Sequence, residues 1–229
     1  MKKFLLKLFI FIIISLIILA SILFVIGFSY YSSALKEKPL VSRVEEVTNK
    51  KNYMSFDELP DNYINAVIAV EDHRFYDHGP IDIIGITRAM YTNIKDQEFK
   101  EGGSTITQQV SKNLIFNQDA TATRKLGELF GAFDLEKNYT KNEIFAIYVN
   151  TSYFGDGYYC IYDASMGYFN KEPKDLTLDE ASMLAGIPNA PSVYAPTVNP
   201  DLARKRQRHV LNKMVEYGYI NQEDANNIK

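Results

Sequence analysis

Apolar residues in this chain fall into one long unbroken run and a series of shorter stripes spaced three and four residues apart. The run from Leu8 to Tyr31 carries no charge and covers roughly 24 residues, long enough to cross a bilayer as a helix. Ile64, Val67 and Ile68 then recur at i, i+3, i+4, which predicts a helix from Asp61 to Glu71. Thr105 and Gln108 form a capping box that opens a helix with Ile106, Val110 and Leu114 inward. Thr123 is placed to cap a helix whose inner face is Leu126, Leu129, Phe130 and Phe133. Thr140 with Glu143 and Thr177 with Glu180 repeat the box. Behind them come Ile144, Ile147 and Tyr148, and then Ala181, Leu184 and Ala185 up to Gly186-Ile187-Pro188. Asn199-Pro200 caps a last long helix that runs through Val210, Leu211, Met214 and Val215 to a stop at Gly218. No alternating strand of useful length is visible, so the expected fold class is mainly α.

Charge turns this pattern into an organisation. Lys2, Lys3 and Lys7 precede the apolar run, so residues 1–7 read as a cytoplasmic tail and 8–31 as a transmembrane signal anchor, with the remainder exported. Ser32-Ser33-Ala34 is a weak candidate for a cleavage site, the mark of a removed signal peptide. Residues 32–51 are charged toward their end, show no periodicity, and read as a juxtamembrane stalk. Residues 52–229 form one domain without repeats or low-complexity breaks. The net charge of −3 gives no sign of a nucleic-acid partner. Sixteen tyrosines and fourteen phenylalanines without tryptophan are consistent with a chain that meets sugars or lipid. The single cysteine, Cys160, excludes an internal disulfide and a four-cysteine metal cluster, and reads as a small buried hydrophobe.

Candidate chemistry starts at Glu71, which occupies the next step of the Ile64-Val67-Ile68 stripe. A carboxylate at an apolar position loses hydration, and that suits a proton acceptor near neutral pH; the alternative is a helix that ends near Asp72 with Glu71 in solvent. Gly102-Gly103-Ser104 leads into the capped helix, where Gln108 and Lys112 stand at i, i+4. Such a turn brings backbone and free N–H groups near an anion, or is an ordinary cap. Arg124, Lys125 and Glu128 fall within one turn, either a surface ion pair or a second carboxylate beside cations able to hold a phosphate. His73 and His78, with Glu71, Asp72 and Asp77 nearby, are five apart, off the i, i+4 spacing of a helical metal pair; no tightly held zinc is expected. The run Arg204, Lys205, Arg206, Arg208 reads as a solvated helix face or one that meets anionic head groups. Asn138-Tyr139-Thr140 and Asn150-Thr151-Ser152 fit the short glycosylation sequon, which is too common to carry weight.

Taken in order, these pieces resemble the peptidoglycan glycosyltransferase family, the transglycosylase module of penicillin-binding proteins and its monofunctional relatives. The resemblance begins at Glu71-Asp72-x-x-Phe75-x-x-His78. It continues through Gly102-Gly103-Ser104-Thr105-Ile106-Thr107-Gln108-Gln109, Lys112-Asn113 and Arg124-Lys125-x-x-Glu128. Glu143-Ile144, Tyr148-Val149-Asn150 and Tyr153-Phe154-Gly155 follow. Leu184-Ala185-Gly186-Ile187-Pro188-x-Ala190-Pro191-Ser192 and the stretch from Arg204 to Leu211 complete it. Any one motif is weak; the ordered set, covering residues 52–220, is strong. Two departures touch backbone rather than charge. Pro80 stands where the family usually has glycine, and Tyr158-Tyr159-Cys160-Ile161 replaces a stretch that commonly carries Gly-Ile.

The resemblance implies a lysozyme-like, mainly helical domain with a small lobe that dips into the membrane surface. It implies polymerisation of lipid II into β-1,4-linked glycan strands with inversion and release of undecaprenyl diphosphate. By similarity Glu71 is the base and Glu128 the second carboxylate, near the donor diphosphate. Lys112, Arg124 and Lys125 would offset the diphosphate charge, and Ser104, Gln108 and Gln109 would shape the donor site. No dedicated metal cage is visible, so a magnesium or manganese ion near Glu128 would arrive with the diphosphate. Implied partners are lipid II, the growing glycan chain, the membrane and other cell-wall synthesis proteins. The short C-terminal remainder leads to the expectation of a monofunctional enzyme. A lytic hydrolase is disfavoured by the cations, and an inactive lipid II-binding scaffold by the presence of both glutamates.

Overall fold

Threonine side chains set the starts of several helices. In the computed structural model, which describes residues 2–96, 102–116 and 121–228, the Thr105, Thr140 and Thr177 boxes close as expected. Their hydroxyls accept from Gln108, Glu143 and Glu180 N–H, satisfying donors that the first turn leaves over. The described residues contain α-helices and short 3₁₀ turns and no strand. They run α1 (Lys2–Glu37), α2 (Leu40–Thr48), α3 (Asp61–Glu71), α4 (Ile83–Asp96), α5 (Ile106–Ile115) and α6 (Ala122–Asn138). Then come α7 (Lys141–Thr151), α8 (Ile161–Phe169), α9 (Leu178–Gly186), α10 (Pro191–Tyr194), α11 (Pro200–Glu216) and α12 (Gln222–Asn227). The domain is mainly α and lysozyme-like in class.

The core is shared by two groups of helices. Helix α3 lies between α9 and α11, while α5 lies between α6 and α7. Val67, Ile106, Val110, Ile144, Leu184, Val210 and Met214 are fully buried in one continuous core cluster. Cys160 is buried too, and its sulfur does more than fill space: it caps α8, accepting from Asp163 N–H and from Asn52 Nδ2. Burial pushes its thiol up to about 11. A surface stays apolar: on α4, Ile83 is 75% and Ile94 73% exposed, with Tyr91 and Met90 also open.

Two expectations fail for physical reasons. The stalk reading breaks at α2, where Leu40, Val44 and Val47 lie at i, i+4, i+7 and are buried in the core. Arg43 locks this short helix down. It donates to the carbonyls of Ala34, Lys38 and Leu114 at 2.9 Å each, closing the C-terminal ends of α1 and α5 together. Helix α6 is capped by Thr121 rather than Thr123, and Phe133 is 54% exposed. Its buried face is instead Gly127, Glu128, Gly131, Ala132 and Leu135. Small residues are needed there because neighbours approach closely. A Cβ on Gly131 would lie 2.2 Å from Ser111 Oγ and 2.7 Å from Ile115 Cδ1. The other side of α6 receives α1, with Phe24 and Phe28 packed edge-on to Phe130 and Tyr31 donating its hydroxyl to Asp134.

The junction after α3 fixes the cleft. Asp72 leaves the helical path, and its buried carboxylate accepts from His78 Nε2 at 2.8 Å and from Ile106 N–H, the first residue of α5, at 3.0 Å. Phe75, fully buried against Phe145, anchors the loop between them. The Pro80 carbonyl, at the departure from the family pattern, accepts from Thr105 Oγ1 at 3.0 Å. Burial pulls the His78 imidazole down, but its bond to Asp72 and that carboxylate's charge outweigh burial, so it holds its proton above the usual histidine range.

Gly131→Val should therefore destabilise the fold by about 1–3 kcal/mol through overpacking, a fall of about 3–10 °C in Tm for a chain of this size. Thermal circular dichroism in detergent measures it, and an unchanged Tm would remove the close α5–α6 approach. Because His78 is raised in the folded state, its contribution is complete below the unfolded histidine value and is lost as pH climbs through the folded one. The Tm advantage of wild type over His78→Asn should be complete below the ordinary histidine range and shrink as pH rises through the raised folded value. A constant advantage would mean that the Asp72 contact does not involve the proton.

Candidate active site

A cleft of about 310 Å³ opens beside the end of α3 and is lined by α3, the Gly102–Ser104 turn, α5, α6 and α11. Helix α3 delivers Glu71 on the continuation of its apolar stripe, and the side chain is 9% exposed. The alternative of a solvent-facing Glu71 is not what the structure has. Oε2 accepts from Gln109 Nε2 at 2.7 Å, whereas Oε1 is buried without a hydrogen-bond partner, with Arg206 Nη2 at 3.8 Å.

On the opposite wall α6 carries the second carboxylate. Glu128 is 1% exposed, an unfavourable place for a charge unless it is paired. Arg124 Nε lies 2.9 Å from Oε1, and Lys125 Nζ 2.8 Å from Oε2. Lys125 also donates to Ser104 Oγ at 2.9 Å, tying the glycine turn to α6. This is a buried pair flanking a cleft, not the surface pair that the spacing also allowed. Lys112, from α5, is influenced by both carboxylates, more by Glu128 than by Glu71. Burial, with Arg124 and Lys125 adding repulsion, lowers its hold on a proton against the pull of the two glutamates. An ammonium between two carboxylates and two further cations is ready for an additional anion.

Each residue singled out in the sequence can now be placed. Glu71, Glu128, Ser104, Gln108, Gln109, Lys112, Arg124 and Lys125 all line this one cleft. Gln108 does so as a structural member: its amide completes the α5 capping box and reaches toward the Pro80 carbonyl at 3.4 Å. The basic run on α11 divides. Arg204 pairs with Asp179 and Arg208 donates to the Ala225 carbonyl at 2.6 Å, both away from the cleft. Arg206 turns inward, 11% exposed, toward Glu71, the Gly186 carbonyl and the Tyr194 ring. Reading the whole run as a solvated face missed it. The available signal was spacing: Arg206, His209, Lys213 and Tyr217 stand at i, i+3, i+7 and i+11 and all line the cleft. His73 also lines it, stacked on Tyr217 with ring centroids 4.3 Å apart.

Protein groups already contact both acidic clusters. Both Glu128 oxygens are engaged by cations, and Lys112 adds a third positive group nearby. These donors fit an anion rather than a resident divalent ion. Asp72, His78 and Asp82 do bring ligand atoms within 4.8 Å of one another. They also contact Ile106 N–H and Arg74, which pairs with Asp82 at 2.6 Å, and Asp72 and His78 contact each other.

Residues 37–215 match the transglycosylase family model. The chain is 44% identical over 178 residues to penicillin-binding protein 1F of Bacillus subtilis, covering 78% of this chain and 25% of that protein. It is 44% identical over 167 residues to penicillin-binding protein 1A of Neisseria lactamica, covering 73% of this chain and 21% of that one. The chain thus spans about a quarter of the length of these penicillin-binding relatives. With a transglycosylase-named protein of Cupriavidus necator the identity is 42% over 188 residues, covering 82% of this chain and 81% of that protein. The ordered motifs, the helical domain and the match over most of its length agree: the chain belongs to the peptidoglycan transglycosylase family.

Proposed function

We propose that this protein is a membrane-anchored peptidoglycan glycosyltransferase that polymerises lipid II into β-1,4-linked glycan strands with inversion and release of undecaprenyl diphosphate. The observation that carries the reading is the pairing of two carboxylates across a cationic cleft, Glu71 held by Gln109 on one side and Glu128 by Arg124 and Lys125 on the other. Glu71 takes the proton of the acceptor GlcNAc 4-hydroxyl as that oxygen attacks the donor anomeric carbon. The bond from that carbon to the diphosphate oxygen breaks on the opposite face, so the α donor becomes a β product in one displacement. Lys112, Arg124 and Lys125 hold the charge that gathers on the departing diphosphate, with Ser104 and Gln109 setting the positions of Lys125 and Glu71. A magnesium or manganese ion enters, where one is used, as part of the diphosphate substrate.

The helix Lys3–Glu37, with mean hydropathy 3.3 over its most apolar window, supports a single-pass anchor with the N-terminus cytoplasmic and the catalytic domain outside. The apolar face of α4 supports contact with the membrane surface. A transglycosylase working without a second catalytic module is supported by the Cupriavidus necator relative, most of whose length is matched.

Detergent-solubilised protein incubated with labelled lipid II should give polymer that lysozyme digests. Glu71→Gln should lower the rate by at least about 10²-fold, and Lys112→Ala should lower kcat/KM by about 10²-fold through lost charge stabilisation. Near-normal turnover by Glu71→Gln would remove it from the base role. Bound lipid II without polymer from the wild type would favour a scaffold.

A further inference from the structure

The cationic cleft borders a second cavity, of about 330 Å³, between α4 and α6. Its apolar wall is Ile86, Ala89 and Met90 from α4 with Leu129 from α6, while Ser104, Gln108 and Lys125 line both cavities. Ile86, Ala89, Met90 and Asn93 stand at i, i+3, i+4 and i+7, so a single stripe of α4 faces the groove. Ala89 is 3% exposed and Met90 58%, so the stripe runs from a closed floor to an open rim. Leu129 follows Lys125 by one turn of α6, which carries that wall from charge to hydrocarbon.

The glycine turn marks the boundary between the two cavities. A Cβ on Gly103 would lie 3.4 Å from Ile86 Cγ1 and 3.5 Å from Ile86 Cα, so the turn rests on α4. On its other side Ser104 Oγ accepts from Lys125 Nζ at 2.9 Å, and the same ammonium lies 2.8 Å from Glu128 Oε2. Lysine suits this junction, because its stem is apolar and its head is charged. Among the described residues, Lys125 is the one charged side chain that lines the groove.

We propose that this groove seats the first isoprenyl units of the donor, the hydrocarbon joined directly to the diphosphate. The inference rests on the reading of the cleft as the diphosphate site. Lys125 belongs to that site, and the first isoprenyl carbon is bonded to a diphosphate oxygen. The chain therefore leaves the cleft beside Lys125, where an apolar wall begins. Ile84 and Tyr91, 60% and 68% exposed, lie on the opposite side of α4 by its 3.6-residue turn. Contact of α4 with the bilayer thus has a face of its own, and the groove stripe is left to the ligand. Leu129 and Met90 become specificity-determining residues that read the hydrocarbon next to the diphosphate. The thioether of Met90 adapts to an irregular branched chain.

The test is calorimetric titration of the full chain in phosphatidylcholine nanodiscs with inorganic diphosphate and with farnesyl diphosphate, empty nanodiscs being subtracted. Farnesyl diphosphate should bind at least about tenfold more tightly than inorganic diphosphate. Leu129→Gln and Met90→Gln should each remove most of that advantage while leaving inorganic diphosphate binding and Tm unchanged. With labelled lipid II the same variants should raise KM and leave kcat close to wild type. Equal affinity of the wild type for the two probes would overturn the proposal, as would a farnesyl advantage that survives both variants. Lys112→Ala separates this from failure of the parent reading. If it weakens neither probe, the diphosphate site falls and the groove with it. If it weakens both while Leu129→Gln and Met90→Gln weaken neither, only the groove falls.

Discussion

The Asp72 carboxylate ties the end of α3 to the start of α5. It sits at the C-terminal end of α3, immediately after Glu71, and accepts the first N–H of α5 at 3.0 Å while holding His78 at 2.8 Å. A helix N-terminus carries a partial positive charge and unpaired donors, so a buried carboxylate is stable there. Gln109 lies in the opening turn of that same helix and Lys112 in its last. The placement of Glu71 against its amide partner and against the ammonium is therefore set by one capping interaction. The Pro80 carbonyl, accepting from Thr105, makes a second tie between the same loop and the same helix start. That contact uses the backbone oxygen, which proline shares with any other residue.

Charge inside the cleft is arranged to be incomplete. Glu128 is sealed by Arg124 and Lys125, and leaving it unpaired at that depth would be strongly destabilising. Lys112 and Arg206 bring further positive charge than the two glutamates neutralise. Burial first, and then the charges of Arg124 and Lys125, lower the proton affinity of Lys112 against the pull of the two glutamates. An overall charge of −3 conceals the local excess, because a focused local field depends on where charges are held and not on their sum.

Much of this was legible in the chain because short-range rules and tertiary packing agree. The α3 stripe, the three threonine boxes and the Gly218 turn, with its φ of +76°, each declare an element boundary through local chemistry. What local rules could not give was the direction in which a polar side chain points. Arg206 is one residue in a basic run, and only the opposing positions of α3 and α9 decide that it faces inward while Arg204 and Arg208 do not. Helix α2 was hidden by the opposite effect: its Leu40-Val44-Val47 stripe is regular, but the charges between make the segment look solvated. On α6 the aromatic residues looked like the core face, yet the buried side is built on glycine and alanine. Hydrophobicity alone ranks Phe133 above Gly131. Close approach to Ser111 reverses the order.

Helix α6 consequently serves as a wall with two faces, and this connects the anchor to the chemistry. Gly127 is buried against α1 and the end of α5, where a Cβ would meet Phe116 at 2.9 Å and Tyr30 at 3.0 Å, while Glu128, the next residue, faces the cleft. Tyr30 stacks on Phe116, and Phe24 packs on Phe130 with ring centroids 5.0 Å apart. Phe24 precedes Tyr31, the end of the apolar run, by a distance of about 10 Å along the helix. With α1 spanning the membrane as proposed, the outer side of α6 lies within the apolar layer. Its inner side then presents Arg124, Lys125 and Glu128 close to the level of lipid head groups. On the proposed topology, the aromatic packing between α1 and α6 also sets the height of that cationic wall.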